Sequence, residues 1–360
     1  MNLSDIGWND YFESLFHKYR EKDLVPFRVS QEHKSRYVIL GEAGELSAEI
    51  SGKFRHEALG KSDFPAVGDW VAVSPRPDEG TGTIHAILPR KSAFSRKVAG
   101  NETEAQVVAA NIDTVFLVSG LDNEFNPRRI ERYLTLAWEC GASPVILLNK
   151  SDLCEDVEAK VSELDSISFG IPIVPISARN RTGLDDLRKS IGRGMTAAFL
   201  GSSGVGKSTI INGLLGYERQ FVNEVREDDS RGRHTTTYRE LIHLPGGGIL
   251  VDTPGMREIQ LWGDESGLSH VFDDIEAFAS QCKYRDCSHN GEPGCAVEKA
   301  LENGSLDKKR WSNYQKLQKE LRFLAVRQDK KEARRQQREW DKKIRQYHQQ
   351  MKELRKRRGY

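Results

Sequence analysis

The chain is 360 residues long, 30% of them charged, with 54 Lys or Arg set against 53 Asp or Glu for a formal charge of +1 at pH 7. Its five cysteines are too few for a disulfide-stapled secreted scaffold and no apolar signal-peptide core opens the sequence, so a protein of the reducing cytoplasm is predicted. At about 150 residues per domain the length implies two to three domains.

Trp8, Tyr11, Phe12, Leu15, Phe16 and Tyr19 recur at helical spacing, which predicts an N-terminal amphipathic helix within residues 1–25 that docks on its own protein. From Pro26 the pattern changes to short alternating runs, Tyr37 to Leu40, Leu46 to Ile50, Val67 to Val73 and Thr83 to Leu88, with Gly-rich turns between. This is the signature of a small β-barrel, and a five-stranded OB-fold over residues 26–97 is the natural choice. Lys53, Arg55, His56, Arg90, Lys91, Arg96 and Lys97, with Phe54 and Phe94 among them, read equally as a nucleic-acid surface or as the surface of a generic spacer barrel.

The apolar run Pro144 to Leu148 ends in Asn149-Lys150-Ser151-Asp152. A carboxylate at Asp152 can accept hydrogen bonds from the two ring-edge donors of guanine, a pairing that adenine cannot offer. Asn149 would support the loop and the base, and the stem of Lys150 would cover the base's face; a turn that caps a helix is the competing reading of so short a run. After the strand Ile171 to Ile176, the run Ser177-Ala178-Arg179 resembles the backbone element that touches the guanine carbonyl in GTPases. Next, the strand Ala197 to Leu200 runs into Gly201-Ser202-Ser203-Gly204-Val205-Gly206-Lys207-Ser208, followed by Thr209 and a helix-like run. Glycines at these places let backbone N–H groups close around phosphates at a helix N-terminus. Lys207 would reach the β- and γ-phosphates and Ser208 would ligate magnesium.

Gly232-Arg233-His234-Thr235-Thr236-Thr237 supplies threonines for magnesium, Thr236 being favoured although the sequence does not decide among the three. Asp252-Thr253-Pro254-Gly255 follows the strand Gly248 to Val251, with Asp252 placed to hold magnesium through water and the Gly255 N–H to sense the γ-phosphate. Met256 occupies the place of a water-positioning glutamine and its thioether cannot orient water, so His234 becomes the candidate catalytic group.

Cys282-x4-Cys287-x-His289-x5-Cys295 lies in a turn-rich stretch and predicts a closed, structural zinc site, whereas Cys140 and Cys154 have no partners at metal spacing and read as packing residues. From Arg327 to Tyr360 fourteen Lys or Arg oppose five Asp or Glu, a net of +9, so the preceding residues sum to −8. Val326, Ala333, Trp340, Tyr347 and Leu354 recur every seven residues there, which favours a long helix whose basic remainder suits phosphate backbones.

In ordinary small GTPases the phosphate loop precedes the guanine-reading run; here that order is inverted. Taken in order, NKSD, SAR, GSSGVGKS, GRHTTT and DTPG, then the Cys-x4-Cys-x-His-x5-Cys knuckle, this chain closely resembles the circularly permuted bacterial GTPases of the RsgA family, also called YjeQ or EngC, over residues 26–325. The resemblance implies a multidomain α/β chain. Its parts are an N-terminal OB-fold β-barrel, a central permuted P-loop GTPase domain over 98–263 and a C-terminal α-helical zinc-binding domain over 264–326; the basic helical tail over 327–360, read from its own charge and spacing, lies beyond the residues that carry the resemblance. It also implies GTP or GDP, Mg2+ and one structural Zn2+ as ligands. As partners it implies the small ribosomal subunit and its rRNA, bound late in assembly, with hydrolysis stimulated by that subunit and linked to release; a monomer is expected, and the thin apolar stripe and interspersed acids of the tail argue against a membrane partner. His234 falls where the family has its proposed catalytic histidine, and Met256 where a hydrophobic residue replaces glutamine. Two other classes compete: a P-loop ATPase or kinase, which Asp152 argues against, and an RNA-binding zinc scaffold with a structural nucleotide site, which Lys207, Ser208 and Asp252 argue against.

Overall fold

The computed structural model describes residues 1–33, 36–98, 101–168, 170–218, 239–252 and 266–326. Helix α1, Asp10–Arg20, starts where the Asn9 side chain accepts from the Tyr11 N–H, and it buries Phe12 and Phe16. Five strands follow: β1 Val25–Glu32, β2 Tyr37–Gly41, β3 Gly44–Ile50, β4 Trp70–Arg76 and β5 Thr81–Ile87, with helix α2, Gly52–Glu57, between β3 and β4. They pair in the order β1-β2-β3-β5-β4, antiparallel except for β3–β5, and β4 returns to β1 to close the ring. Closure removes the strand edges, and Phe27, Val29, Ile39, Leu46, Val71, Val73 and Ile84 fill the interior.

Two details depart from the sequence pattern. The first strand, β1, was hidden by Arg28, which is 1% exposed. Its guanidinium donates to the carbonyls of Ile6 at 2.6 Å, Gly68 at 3.2 Å and Asn111 at 3.2 Å, tying three distant segments together. Burial lowers the Arg28 pKa to about 10, against the pull of Asp113 and Asp69, which leaves it charged at neutral pH. The second departure is β4, which begins at Trp70 and not at Val67, because Gly68 turns the chain at φ +92 where an added Cβ would lie 2.1 Å from the Ala110 carbonyl oxygen. We expect Arg28→Met to lower the unfolding free energy by about 3 kcal/mol, since the buried carbonyls of Ile6 and Asn111 lose the Arg28 donor while that of Gly68 keeps the Asn111 amide at 3.0 Å; a urea melt measures it.

Trp70 is fully buried and receives α1: the Trp8 ring meets it edge-on at 4.6 Å and Phe12 lies 5.8 Å away. Of the basic and aromatic set noted above, Arg90 and Phe94 turn inward. Arg90 grips the Asp69 carboxylate with two bonds of 2.8 Å and donates to the carbonyls of Ser62 and Phe64, and Phe94 is fully buried. Phe54 packs against the barrel core, and the Lys91 ammonium sits over the rings of Tyr11 and Phe12.

A hairpin of β6, Ala93–Val98, and β7, Asn101–Ala110, leads to a second sheet. In chain order this holds β8 Thr114–Gly120, α3 Pro127–Glu139, β9 Ser143–Asn149, α4 Val157–Asp165, β10 Ile173–Pro175, α5 Leu184–Ser190, β11 Thr196–Leu200, α6 Lys207–Leu215, β12 Arg239–His243 and β13 Ile249–Asp252. The spatial order is β10-β9-β8-β11-β13-β12, parallel apart from β12. Strands covered on both faces need continuous apolar runs, which β8 and β11 supply. Strand β12 also pairs antiparallel with β1, Gln31 opposite Glu240 and Glu32 opposite Arg239, so barrel and second sheet are continuous. A 2.7 Å Arg239–Glu32 ion pair fixes that seam.

The C-terminal helices are α7 Ser266–Val271, α8 Asp273–Ala279, α9 Ala296–Glu302 and α10 over 308–326. They pack on α3, closely enough that a Cβ on Gly267 would meet the Thr135 carbonyl oxygen at 2.6 Å. Glu131 of α3, 2% exposed, accepts from Arg310 and, at 2.6 Å, from Asn313, while Arg310 also grips Asp274. Among the described residues no helix is long and apolar enough to cross a membrane.

Candidate functional site

Parallel α/β sheets bind ligands beyond the carboxyl ends of their strands. At that edge lie the segment after β8, Asn149 to Asp152 after β9, Ser177 to Arg179 after β10, the glycine loop after β11, and Asp252 closing β13. The loop residues Gly201 to Gly206 are held by close backbone approach. A Cβ on Gly201 would fall 2.5 Å from the Val118 carbonyl oxygen, and one on Gly206, at φ +97, would fall 2.2 Å from Asn149 Nδ2. Gly206 caps α6, so Lys207, Ser208 and Thr209 form the first turn of a helix whose N-terminus faces the edge. Val205 is buried, whereas Ser203 and Gly204 are exposed at the loop's crest. Lys207 arches back, its Nζ donating to the carbonyls of Gly201 at 2.7 Å and Ser202 at 2.5 Å.

Asn149 connects three of the motifs. It is 3% exposed, and its Nδ2 donates to the Val205 carbonyl at 2.8 Å while its Oδ1 accepts from the Ala178 N–H at 3.0 Å. Residues 29 and 56 positions away in sequence are thereby locked to one amide. Ser177 Oγ donates to Asp152 Oδ1 at 2.5 Å and accepts from the Asn180 N–H, which orients the carboxylate.

Two residues of this edge were not singled out from sequence. Lys150, in the left-handed conformation at φ 65, pairs with Asp122 at 2.5 Å. Burial would raise the Asp122 pKa, but the Lys150 hydrogen bond and charge and the Glu124 N–H outweigh it and hold the carboxyl below its usual range. An acidic residue two positions after a strand that ends at Gly120 was the available signal. Arg129, from the first turn of α3, donates to Ser202 Oγ at 2.8 Å and to Glu124 at 3.0 Å; its partner lies 73 residues on, and no local pattern announces it. His234, Thr235, Thr236, Thr237, Gly255, Met256 and the tail 327–360 lie outside the described residues.

The second constellation is the cysteine cluster. The ligand atoms of Cys282, Cys287, His289 and Cys295 all lie within 4.8 Å of one another. Cys282 Sγ is 4.0 Å from Cys295 Sγ and 3.6 Å from His289 Nδ1, and Cys295 Sγ is 3.5 Å from that nitrogen. A zinc tetrahedron with bonds of about 2.3 Å to sulfur and about 2.0 Å to nitrogen has edges of roughly 3.8 and 3.5 Å, so the donor set fits one zinc-sized ion. Cys295 caps α9 and accepts from the Glu298 N–H at 3.4 Å, and Cys282 accepts from the Ala296 N–H at 3.3 Å. Burial would raise the Cys282 thiol, but the N–H groups of Ala296 and Val297 outweigh it and lower it; desolvation with the neighbouring thiols pushes Cys287 up to about 11. Glu292 organises the loop, accepting from the N–H groups of Ser288 and Asn290. Trp311 of α10 meets the His289 ring edge-on at 5.7 Å, which joins the knuckle to the helix that Glu131 holds. Cys140 and Cys154, by contrast, pack against the main core, and burial pushes Cys140 up to about 12.

The RsgA GTPase family model matches residues 87–262, and a model described as 50S ribosome-binding GTPase matches 196–355. The chain is 46% identical over 351 residues to the small ribosomal subunit biogenesis GTPase RsgA of Opitutus terrae, covering 95% of this chain and 96% of that one. It is likewise 46% identical over 343 residues to RsgA 1 of Oceanobacillus iheyensis, covering 95% and 97%. Its fold matches the crystal structure of YjeQ from Thermotoga maritima with a TM-score of 0.63 at 31% identity, over 83% of this chain and 98% of that one. A second solved structure, YloQ, described as a circularly permuted GTPase, matches with a TM-score of 0.60 at 25% identity over 83% and 95%. The chain belongs to the RsgA family of circularly permuted GTPases.

Proposed function

We propose that this chain is a GTP-hydrolysing assembly factor that binds the maturing small ribosomal subunit in its GTP state and leaves on hydrolysis. The observation that carries the nucleotide half is the Asn149 amide, bonded to both the phosphate loop and Ala178, beside an Asp152 carboxylate oriented by Ser177. The subunit half rests on the relatives, each named a small ribosomal subunit biogenesis GTPase.

In this reading Asp152 accepts from the guanine edge, Lys150 covers the base while Asp122 fixes its ammonium, and the Ala178 N–H faces the guanine carbonyl. Backbone N–H groups from Ser202 to Thr209 surround the phosphates, and Lys207 exchanges its two carbonyl acceptors for β- and γ-phosphate oxygens. Ser208, Thr236 and Asp252 hold Mg2+, which supplies neutralisation of the phosphate charge. His234 positions the attacking water, and the Gly255 N–H senses the γ-phosphate. Cys282, Cys287, His289 and Cys295 hold one structural zinc. The domain limits are 1–25, 26–97, 98–263, 264–326 and 327–360, the protein acts as a cytoplasmic monomer, and rRNA is the surface it reads.

GTP turnover with and without purified small subunits, repeated across salt and in competition with ATP, tests this. Stimulation that fades with salt, and displacement by GTP but not ATP, are expected; no stimulation at any salt defeats the assembly role. His234→Ala should slow single-turnover hydrolysis roughly 10²-fold with GTP affinity unchanged, and equal rates would remove His234 from the mechanism.

A further inference from the structure

Between α3 and α10 runs a groove of about 310 Å³ lined by Arg128, Arg129 and Arg132 on one side and Ser312, Asn313 and Lys316 on the other. None of its lining residues is acidic. Arg132 is neutralised by Glu320, whose two oxygens accept at 2.7 Å, and Arg129 by Glu124 at 3.0 Å. Arg128 and Lys316 are exposed and have no partner among the described residues, so the groove keeps two uncompensated cations. Arg128 and Arg132 are also a like-charge i,i+4 pair, an arrangement that costs helix stability, and only Arg132 of the two has its charge answered across the groove. The larger cavity of about 420 Å³ where the barrel meets β12 differs in this respect, because its Arg239 is paired with Glu32.

We propose that this groove seats an RNA phosphate backbone. The inference rests on the assembly-factor reading above and names a surface for it. Arginine, lysine, asparagine and serine side chains are the groups that position phosphates. A protein partner would look for an apolar or aromatic anchor, and the groove lining offers only Leu317. The site also reaches the nucleotide: Arg129 bonds Ser202 of the phosphate loop, so a phosphate competing with Glu124 for Arg129 alters the support beneath that loop.

The test is the double variant Arg128→Glu/Lys316→Glu, with Arg128→Gln/Lys316→Gln as a milder pair. Binding to small subunits is measured by sedimentation with a non-hydrolysable GTP analogue between 50 and 200 mM salt. The Glu pair should bind roughly tenfold more weakly, and the slope of log affinity against log salt should flatten by about 1.5. The Gln pair should fall between it and wild type, and GTP turnover without subunits should be unchanged in both. Wild-type affinity and slope in the Glu pair would overturn the proposal, and weaker binding with an unchanged slope would assign the groove to a protein surface instead. Should the wild-type chain itself ignore small subunits, the assembly reading fails, and a fluorescent single-stranded RNA decides the groove by the same slope comparison.

Discussion

Asp152→Asn is expected to lower GTP affinity roughly 10³-fold, since two charge-assisted hydrogen bonds of about 2 kcal/mol each are lost and a donor is set against the guanine donors. The same substitution should let xanthosine triphosphate bind, because xanthine presents an acceptor where guanine presents its exocyclic amine. This inversion separates base reading from mere support of the loop. Ser177 Oγ already donates to Asp152 Oδ1 and can donate equally to the amide oxygen of an asparagine, so the loop keeps its shape. Competition binding with a fluorescent guanine nucleotide measures both arms. Equal loss for the guanine and xanthine nucleotides would mean a collapsed loop, and no loss for GTP would move guanine recognition away from Asp152.

Metal removal should have the other large effect. Structural zinc contributes about 10–16 kcal/mol at neutral pH, which matches or exceeds the whole stability of a typical domain at about 5–15 kcal/mol. The knuckle has little else to hold it: between α8 and α9 the chain has no regular element, and its hydrogen bonds run chiefly through sulfur and Glu292. A strong chelator, or Cys295→Ala, is expected to release one zinc per chain and to unprotect the amides of residues 280–302 in hydrogen exchange. The α3 contacts of Arg310 and Asn313 do not involve the cysteines, so α10 should stay docked and GTP affinity should survive. Retained amide protection in metal-free protein would show that the cluster is ornamental to the fold.

The nucleotide edge and the knuckle were legible in sequence because each motif is local: a strand, then a few residues whose chemistry has one use. Asn149, Lys207 and the cysteines needed no tertiary knowledge. Arg129 and Glu131 did, since their partners lie 73 and 179 residues away and nothing in their own neighbourhoods marks them, whereas Asp122, paired 28 residues away, was marked only by its place two positions after β8. The barrel was legible as alternation, except in β1, where Phe27 and Val29 face the interior and Arg28 between them, on the outer face that alternation assigns to solvent, is buried as well. Arg90 and Phe94 show the opposite failure. Charge and aromaticity close together in sequence resemble a ligand surface, yet Asp69 and the core consume them.

The seam between β1 and β12 bears on how the chain folds. All five barrel strands are made by Ile87, so the barrel can form from near neighbours, whereas Gln31 must wait for Glu240, 209 residues later. Contacts of such separation form late, and interactions absent from a transition state act on the unfolding rate alone. Glu32→Gln should therefore steepen the loss of kinetic stability while leaving the refolding limb of the chevron where it was, which would make the joint between the two sheets a timer for unfolding and not a nucleus for folding.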